Sequence, residues 1–343
     1  MVKVIKEVGK RQRLERTRED ESKSFSFLEV IERVDSLPIN YNEFGNFQEK
    51  VYHLITHDGR RIGFVLKFVI DEMRFVAEDI MKQMFTVDEK YHGLRFKSSN
   101  FDERNKQLDI LSKDMYLKSS IAGVKGWRNE KYAVWVDRTP YILLERAMAG
   151  VMGIITYGIH INGYVQENDN DELKIWVPRR SATKQTWPLM LDNIIAGGLG
   201  YPCSIEETVI KESIEEANLE EKIIRENIRP AGMVSYLYYP NDVTTDTFED
   251  ERSFIVGEIE YVYDLKVSAD VIPRPNDGEV ESFSLMDLQD VITALQNKEF
   301  KPNCALVMVE FLVRHGYITT ENEPHYGELI NRMHRTLPFP TLN

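Results

Sequence analysis

The sequence predicts an α+β protein of two domains, on the strength of three observations. The chain has 343 residues, which is more than one hydrophobic core usually serves. Residues 25–146 distribute their apolar and aromatic residues over short segments separated by turn signals. Residues 147–343 instead contain two strand-like runs followed by a strongly patterned helix. We therefore expect a smaller α+β domain at 25–146 and a second domain at 147–343.

Residues 1–24 are predicted to form a charged, flexible tail, because they hold eight Lys or Arg against five Asp or Glu and show almost no apolar periodicity. The whole chain has a formal net charge of −13. This charge repels phosphate backbones, so we expect no general nucleic-acid binding. Two cysteines and no signal-sequence pattern indicate a soluble, cytoplasmic protein.

The start of the second domain is an uncharged run from Ala147 to Gln166 that has the length of a membrane span. Glycines interrupt this run and its second half is polar, so we expect no membrane partner. The pattern favours a helix over 141–153 and then two strands, 156–165 and 173–177, joined as a hairpin.

One helix carries the clearest chemical signal. Ser204, with a Glu three positions later, forms a capping-box pattern, and apolar residues at roughly helical spacing predict a helix over 205–218. Glu212, Glu215 and Glu216 stand at i, i+3 and i+4, so their carboxylates share one face and repel one another. A solvated acidic face is the ordinary interpretation. A divalent-cation site is the functional one, since Mg²⁺ prefers carboxylate oxygens, waters and substrate phosphates.

The string around this helix resembles the Nudix box, a loop–helix–loop motif. Gly197 stands at the position of the first family glycine, and the Arg-Glu-x-x-Glu-Glu part of the pattern matches four residues here: Lys211, Glu212, Glu215 and Glu216. Three positions depart from the pattern, since Cys203 replaces a Glu, Lys211 an Arg and Asn218 a Gly. Lys keeps the charge but loses the planar geometry of Arg, and Asn tolerates a left-handed helix end almost as Gly does.

Further strings extend the resemblance over roughly residues 40–343. They occupy residues 126–130, 158–164, 176–187, 191–193, 276–283, 300–303 and 334–339. Together they resemble a Nudix subfamily with a DUF4743-type N-terminal domain, which includes the Nudix half of fungal thiamine diphosphokinase fusions and stand-alone fungal, plant and bacterial relatives.

The resemblance implies a Nudix α/β/α sandwich behind the smaller N-terminal α+β domain, and a hydrolase of phosphoric anhydride bonds that uses Mg²⁺ or Mn²⁺. It also implies a small-molecule diphosphate substrate. That substrate would be thiamine diphosphate and especially its damaged forms, oxothiamine and oxythiamine diphosphate, with monophosphates and phosphate as products. Such an enzyme would remove antivitamins before they occupy thiamine-dependent enzymes.

The site residues follow from this resemblance. Three carboxylates would hold the metal: Glu212, Glu215 and Glu216. Three cations lie between a predicted strand and the box and could bind the phosphates, although each could also belong to an ordinary solvated loop: Arg179, Arg180 and Lys184. The general base is left open among Glu279, Glu281 and Glu216.

Two other functions remain open. A pyrophosphohydrolase for another nucleoside diphosphate derivative such as ADP-ribose is one, and a catalytically silent Nudix module that binds a diphosphate as a sensor is the other. Cys203 in place of the first family Glu motivates the sensor. Because the histidine ligands of a related isomerase are missing, we interpret Cys203 as structural. Asn303 is predicted to cap a buried helix, which would place Cys304 in the core.

Overall fold

The computed structural model of the chain describes residues 2–16, 25–43, 45–239 and 254–342. The chain begins with an antiparallel hairpin of β1 (Val2–Ile5) and β2 (Arg13–Arg16). Val2 and Leu14 are buried in the core of the second domain.

The prediction of a flexible tail is therefore wrong for residues 2–16. Apolar and charged residues alternate in both strands, so each strand buries one face while its charged side chains stay in water. The excess of charge concealed this short alternation. The remaining tail residues, 17–24, lie outside the described residues.

The N-terminal domain contains a four-stranded sheet and a separate hairpin. Helix α1 (Leu28–Ile31) precedes this domain and is buried in the core of the second domain. The helices of the N-terminal domain are α2 (Gly45–Lys50), α3 (Lys67–Val76), α4 (Glu78–Met84) and α5 (Phe101–Lys118). Its strands are β3 (Val51–Ile55), β4 (Arg61–Leu66), β5 (Phe85–Asp88), β6 (Gly93–Phe96), β7 (Lys131–Val136) and β8 (Thr139–Glu145). The sheet has the order β4-β3-β6-β5, and β7 pairs with β8.

The helix predicted over 141–153 is wrong. Residues up to Glu145 belong to β8, and a short 3₁₀ turn, Arg146–Met148, follows. Tyr141, Ile142 and Leu144 are buried by pairing with β7 and by packing on α5. A short apolar run fits a buried strand as well as a buried helix, and here tertiary packing decides between them.

The second domain is built on a six-stranded mixed sheet. Its strands are β9 (Ile155–Val165), β10 (Lys174–Arg180), β11 (Ile195–Gly198), β12 (Ile228–Tyr238), β13 (Val256–Lys266) and β14 (Val280–Asp287). Their order is β12-β13-β9-β10-β14, with β11 also paired to β9, and β13 runs parallel to β9. The predicted hairpin is confirmed, because β9 and β10 pair antiparallel.

Helices cover both faces of this sheet. They are α6 (Ile205–Ala217), α7 (Glu221–Asn227), α8 (Leu288–Gln296), α9 (Pro302–Arg314) and α10 (Tyr326–Met333). Ile159 and Ile161 of β9 pack in one cluster with α6 and α7. On the opposite face, α8, α9 and α10 pack against β10 and β12 in a second cluster. The predicted α/β/α sandwich within an α+β protein is confirmed.

The two domains share a hydrophobic core. Tyr157 and Ile259 of the sandwich belong to the same buried cluster as the strands of the N-terminal domain. The two halves therefore pack as a continuous body at this end of the sheet.

Helix α9 begins two residues earlier than predicted, at Pro302 rather than Cys304. Lys301 is its N-cap and Pro302 its first residue, where proline is favoured because its missing N–H would have no helical partner. Asn303 lies inside the helix, so the predicted cap is wrong, whereas the predicted burial of Cys304 is confirmed. Within the described part of the chain, no helix is long and apolar enough to cross a membrane.

The N-terminal hairpin is expected to stabilise the fold. Leu14→Ala should lower the free energy of unfolding by about 2–4 kcal/mol, because it leaves a cavity where a buried side chain packed. Val8→Ala in the turn of the same hairpin, whose side chain is fully exposed, should change it by less than about 0.5 kcal/mol. Urea denaturation of both variants measures the difference, and equal stabilities would contradict the packing of β2.

Candidate active site

A cavity of about 940 Å³ lies between the N-terminal domain and the end of the sandwich where β11 meets α6. The N-terminal domain contributes Gly126, Arg128, Glu130, Tyr132 and Arg146 to its wall. The sandwich contributes charged residues from several elements: Arg180, Lys184, Lys211, Glu212, Glu215, Glu216, Glu258, Glu260 and Glu279. Residues far apart in the sequence thus meet around one space.

Helix α6 is fixed at both ends by the features that its sequence predicts. The Ser204 hydroxyl accepts from the Glu207 N–H, and the Glu207 carboxylate accepts from the Ser204 N–H at 2.8 Å, so the capping box is confirmed. At the other end Asn218 adopts a left-handed conformation with φ of 52°. Asn therefore performs the backbone role of the family glycine. Val209 and Ala217 are buried against the sheet, which sets the rotation of the helix.

Glu216 is the innermost of the three carboxylates, with 8% of its surface exposed. Its Oε2 accepts a hydrogen bond of 2.9 Å from the Ala196 N–H of β11. Burial raises the pKa of Glu216 well above its usual range, and the nearby Asp192, Glu212 and Glu279 raise it further. The protein alone therefore disfavours the charged form of Glu216, which a bound cation would favour.

Glu212 and Glu215 both form ion pairs with Lys211. The Lys211 ammonium is 2.9 Å from a Glu212 oxygen and 3.0 Å from a Glu215 oxygen. Burial nevertheless raises the pKa of Glu212 above its ordinary value. Lys in place of the family Arg thus joins two of the box carboxylates.

Gly197 leaves room for Glu212. A Cβ at residue 197 would lie 2.5 Å from the Glu212 Cδ, far inside van der Waals contact. The glycine at this position is therefore needed because β11 and α6 approach closely at the carboxylate.

Of the predicted phosphate-binding cations, the structure brings two to the cavity. Lys184 forms an ion pair with Glu279, and both line the wall. Arg180 also lines it, but its guanidinium is held by Asp192 at 2.6 Å and by the carbonyls of Trp187 and Thr186. The Arg180 guanidinium therefore binds and orders the loop that follows β10, and we do not assign it to phosphate binding.

Two candidates lie away from the cavity wall. The Arg179 guanidinium donates to the Leu189 carbonyl at 2.7 Å, and Arg179 is not among the cavity-lining residues. Glu281 is exposed on β14, whereas Glu279, just before that strand, reaches the cavity. A β-bulge leaves Glu281 without a partner in β10, since Arg179 pairs with Ser282 and Arg180 with Val280.

Sequence reasoning missed a buried polar network on the face of the sheet opposite α6. His160 Nδ1 is 2.7 Å from Asn193 Oδ1, and its Nε2 is 3.4 Å from Glu260 Oε1. Burial alone would lower the pKa of His160, but the Glu260 carboxylate raises it well above the usual value. The available signal was Gly-x-His-x-Asn in a strand that is otherwise apolar, where polar residues at alternate positions share one face.

The N-terminal domain is attached directly to the loop of the Nudix-like string. The Tyr201 N–H donates to the Lys131 carbonyl at 2.8 Å, and the Tyr132 hydroxyl packs so closely on Gly198 that a Cβ there would lie 2.0 Å from it. Arg146 pairs with Glu130 at 2.7 Å. Trp127 lies against Tyr116, and it is outside the set of cavity-lining residues.

Comparison with known proteins agrees with this architecture. The NUDIX domain family matches residues 159–305, and the family described as "Domain of unknown function (DUF4743)" matches residues 33–156. An uncharacterized protein of Saccharomyces cerevisiae is 63% identical over 330 residues, which is 96% of this chain and 96% of that protein.

Two relatives from Arabidopsis thaliana carry family names. Nudix hydrolase 20, chloroplastic, is 32% identical over 336 residues, and Nudix hydrolase 24, chloroplastic, is 31% identical over 328 residues. Each alignment covers 91% of this chain and 84% of the relative.

Fold and site thus define an enzyme that hydrolyses pyrophosphate bonds in small-molecule diphosphates. The chain belongs to the Nudix hydrolase family, with a DUF4743 domain ahead of the Nudix domain. Nudix hydrolases generally use divalent metals such as Mg²⁺ or Mn²⁺.

The donor set on α6 suits such a cation in its chemistry. Glu212, Glu215 and Glu216 offer hard carboxylate oxygens, two of which already share the positive charge of Lys211. Among the described residues, no group of three His, Cys, Asp or Glu side chains is arranged to hold a metal ion.

The close contact at Gly197 can be tested. Gly197→Ala should lower kcat/KM for diphosphate hydrolysis by at least about ten-fold, because the new methyl group displaces the Glu212 carboxylate. Gly327→Ala is the matched control, since nothing lies within 4 Å of its Cβ position. Steady-state kinetics and melting temperatures of both variants separate lost catalysis from lost folding. Full activity of Gly197→Ala would show that the Glu212 position is unimportant.

Proposed function

We propose that this protein hydrolyses thiamine diphosphate and, preferentially, its oxidised analogues oxothiamine and oxythiamine diphosphate, giving the monophosphates and phosphate. The observation that carries the proposal is the meeting of the α6 carboxylates with Lys184 and Glu279 on one wall of the large cavity. The choice of thiamine compounds as substrates rests on the sequence strings that resemble the thiamine-linked subfamily. We also propose that the protein is located in the cytoplasm.

Cations and carboxylates at the α6 end suit a diphosphate. Lys184 and Lys211 bring positive charge beside Glu212, Glu215 and Glu216, and all five residues line the cavity. Phosphate oxygens accept charge-assisted hydrogen bonds from such ammonium groups. We assign phosphate binding to Lys184, and loop positioning to Arg180.

In this proposal Glu212, Glu215 and Glu216 hold Mg²⁺ or Mn²⁺. A divalent cation bound there would neutralise phosphate oxygens and would lower the pKa of a bound water. Its positive charge would also offset the repulsion among carboxylates that burial has brought together. The exposed Cys203 leaves these three ligands in place.

Glu279 is our candidate for the general base, since it reaches the cavity and Glu281 does not. It would accept a proton from the water that attacks the terminal phosphorus. The bond from this phosphorus to the bridging oxygen breaks, and the monophosphate leaves with that oxygen. Burial alone would raise the pKa of Glu279, but Lys184 lowers it below its ordinary value. The carboxylate is therefore ionised, as a base must be.

The rest of the cavity can receive an organic ring system. Tyr132, Tyr236 and Phe254 line it, and a volume of about 940 Å³ lies in the range of cavities that enclose ligands of this size. A nucleoside diphosphate derivative such as ADP-ribose would also fit by volume, so the experiment includes it.

The proposal is tested by the products formed in the presence of Mg²⁺. We expect phosphate release from thiamine, oxothiamine and oxythiamine diphosphates, with little AMP release from ADP-ribose. Glu216→Gln should reduce turnover at least about 100-fold, or roughly 2.7 kcal/mol of transition-state stabilisation. Glu206→Gln, on an exposed position of the same helix, should not.

Three outcomes would contradict the proposal in different ways. AMP release from ADP-ribose, without hydrolysis of any thiamine compound, would show that the substrate is a nucleoside diphosphate derivative. Stabilisation of the protein by thiamine diphosphate without any turnover would favour a sensor. Full activity of Glu216→Gln would remove the metal-binding role.

The ion pair between Lys184 and Glu279 gives a pH test. Lys184→Met removes the cation that lowers the pKa of Glu279, so that pKa rises, and the base becomes ionised only at higher pH. The acid limb of the kcat/KM profile should therefore move to higher pH. Arg179→Met removes a cation outside the cavity and should leave the limb unchanged. An unmoved limb in Lys184→Met would exclude Glu279 as the base.

A further inference from the structure

Arg128 of the N-terminal domain lines the cavity, and the hydrolysis proposed above gives it no role. Its side chain is 41% exposed, and its Nη1 lies 3.9 Å from Oε1 of Glu279, the candidate base. Among the described residues, this loose ion pair is the one polar contact of the guanidinium. Its N–H groups are therefore available to donate to a ligand in the cavity.

Two other cations near Glu279 are held more firmly. Lys184 forms its ion pair with the second Glu279 oxygen, and its side chain is 17% exposed. Arg146 forms a short ion pair with Glu130, at 2.7 Å. Of these three cations, Arg128 is the one that an incoming anion can bind without first breaking a hydrogen bond.

The backbone at Arg128 is fixed from within its own domain. The Arg128 N–H donates to the Glu145 carboxylate at 2.9 Å, and Glu145 is fully buried. The next residue, Asn129, adopts a left-handed conformation with φ of 56°. The Asn129 side chain accepts from the Trp127 indole N–H at 2.7 Å. These contacts hold the turn in one shape, so the guanidinium extends from a defined position.

The loop of residues 126–130 also packs closely on two loops of the Nudix domain. A Cβ at Gly126 would lie 2.8 Å from Gln185 Oε1, in the loop that follows β10. A Cβ at Gly200 would lie 2.5 Å from Glu130 Oε1, in the loop that precedes α6. The N-terminal domain therefore enters the site between the segment that carries the phosphate-binding lysine and the segment that leads into α6.

The position of Glu279 relates Arg128 to the reacting phosphate. A general base lies within about 3 Å of the water that it deprotonates, and that water lies about 3–3.5 Å from the phosphorus that it attacks, so the terminal phosphorus would lie roughly 6 Å from the Glu279 carboxylate. The Arg128 guanidinium, on the same carboxylate, is within reach of that phosphate. A guanidinium binds phosphate through two parallel hydrogen bonds, a geometry that an ammonium group does not offer.

We propose that Arg128 binds the terminal phosphate of the substrate, so that the DUF4743 domain supplies a substrate-binding residue to the Nudix active site. This assignment rests on the proposed function and deepens it. Arg128 exchanges its loose contact with Glu279 for the phosphate oxygens and offsets their negative charge. The terminal phosphate is common to thiamine, oxothiamine and oxythiamine diphosphates, so Arg128 acts on all three alike.

The test compares ligands with and without the terminal phosphate. Arg128→Gln removes the guanidinium and keeps a polar side chain. It should lower kcat/KM for thiamine diphosphate at least about ten-fold, the scale of a charge-assisted contact. Thiamine monophosphate lacks the terminal phosphate, so its inhibition constant should change by less than about two-fold. Arg128→Lys keeps the charge and should restore part of the lost kcat/KM.

Arg138→Gln is the matched control. It removes an exposed arginine from the turn between β7 and β8 of the same domain, outside the set of cavity-lining residues. Both kcat/KM for thiamine diphosphate and the inhibition constant of thiamine monophosphate should stay at their wild-type values.

Two simpler roles for Arg128 would give different results. If Arg128 only balances the charge of Glu279, its removal raises the pKa of Glu279 and moves the acid limb of the kcat/KM profile to higher pH. Above that limb, kcat/KM would then equal the wild-type value. If Arg128 only joins the two domains, Arg128→Gln would lower the melting temperature and weaken inhibition by thiamine monophosphate as much as it lowers kcat/KM. Either result would overturn the assignment.

The behaviour of the wild type separates this assignment from the proposed function. If the wild type hydrolyses the thiamine compounds and Arg128→Gln is equally active, the assignment fails while the proposed function stands. If thiamine diphosphate binds without turnover, it should raise the melting temperature more than thiamine monophosphate does, and Arg128→Gln should remove this difference. If the wild type neither hydrolyses nor is stabilised by any of these compounds, both proposals fail together.

Discussion

The hydrogen bond from the Ala196 N–H to the buried Glu216 carboxylate fixes the geometry on which the site depends. It joins the helix that carries the acidic residues to the short strand beside it, and Gly197 allows the close approach. The capping box at one end of α6 and the left-handed Asn218 at the other set the length of the helix. A carboxylate that would ordinarily face water is thus held inside the protein, where burial disfavours its charged form and a bound cation would favour it.

The N-terminal domain has a place in this arrangement rather than standing apart from it. Tyr132 and Arg128 reach the same cavity as the α6 residues, and the two domains share a hydrophobic core. Helix α6 thus belongs to the Nudix domain, whereas Tyr132 and Arg128 on the cavity wall belong to the DUF4743 domain. A Nudix domain without this partner would leave the cavity open on one side.

Much of the sandwich could be predicted from the sequence because its signals are local. The capping box, the helix period of α6 and the β9–β10 hairpin depend on residues close together in the chain, and all three are confirmed. The N-terminal hairpin and β8 were missed, because their state depends on partners that no local pattern shows. The site divides in the same way. The three glutamates of α6 stand in one short string of the sequence. The contact between His160 and Glu260 could not be predicted, because the two residues lie about a hundred positions apart on neighbouring strands.

The N-terminal hairpin also bears on how the protein is made. Val2 and Leu14 complete a core whose other members include α8 and α10, near the opposite end of the sequence. The first strand is synthesised before those helices, so the hairpin gains its packing partners only after the residues of α8 and α10 have followed. The N-terminal domain can form its own sheet during this time. Such long-range closure is slow, and it leaves the alternating apolar residues of the hairpin available to chaperones in the interval.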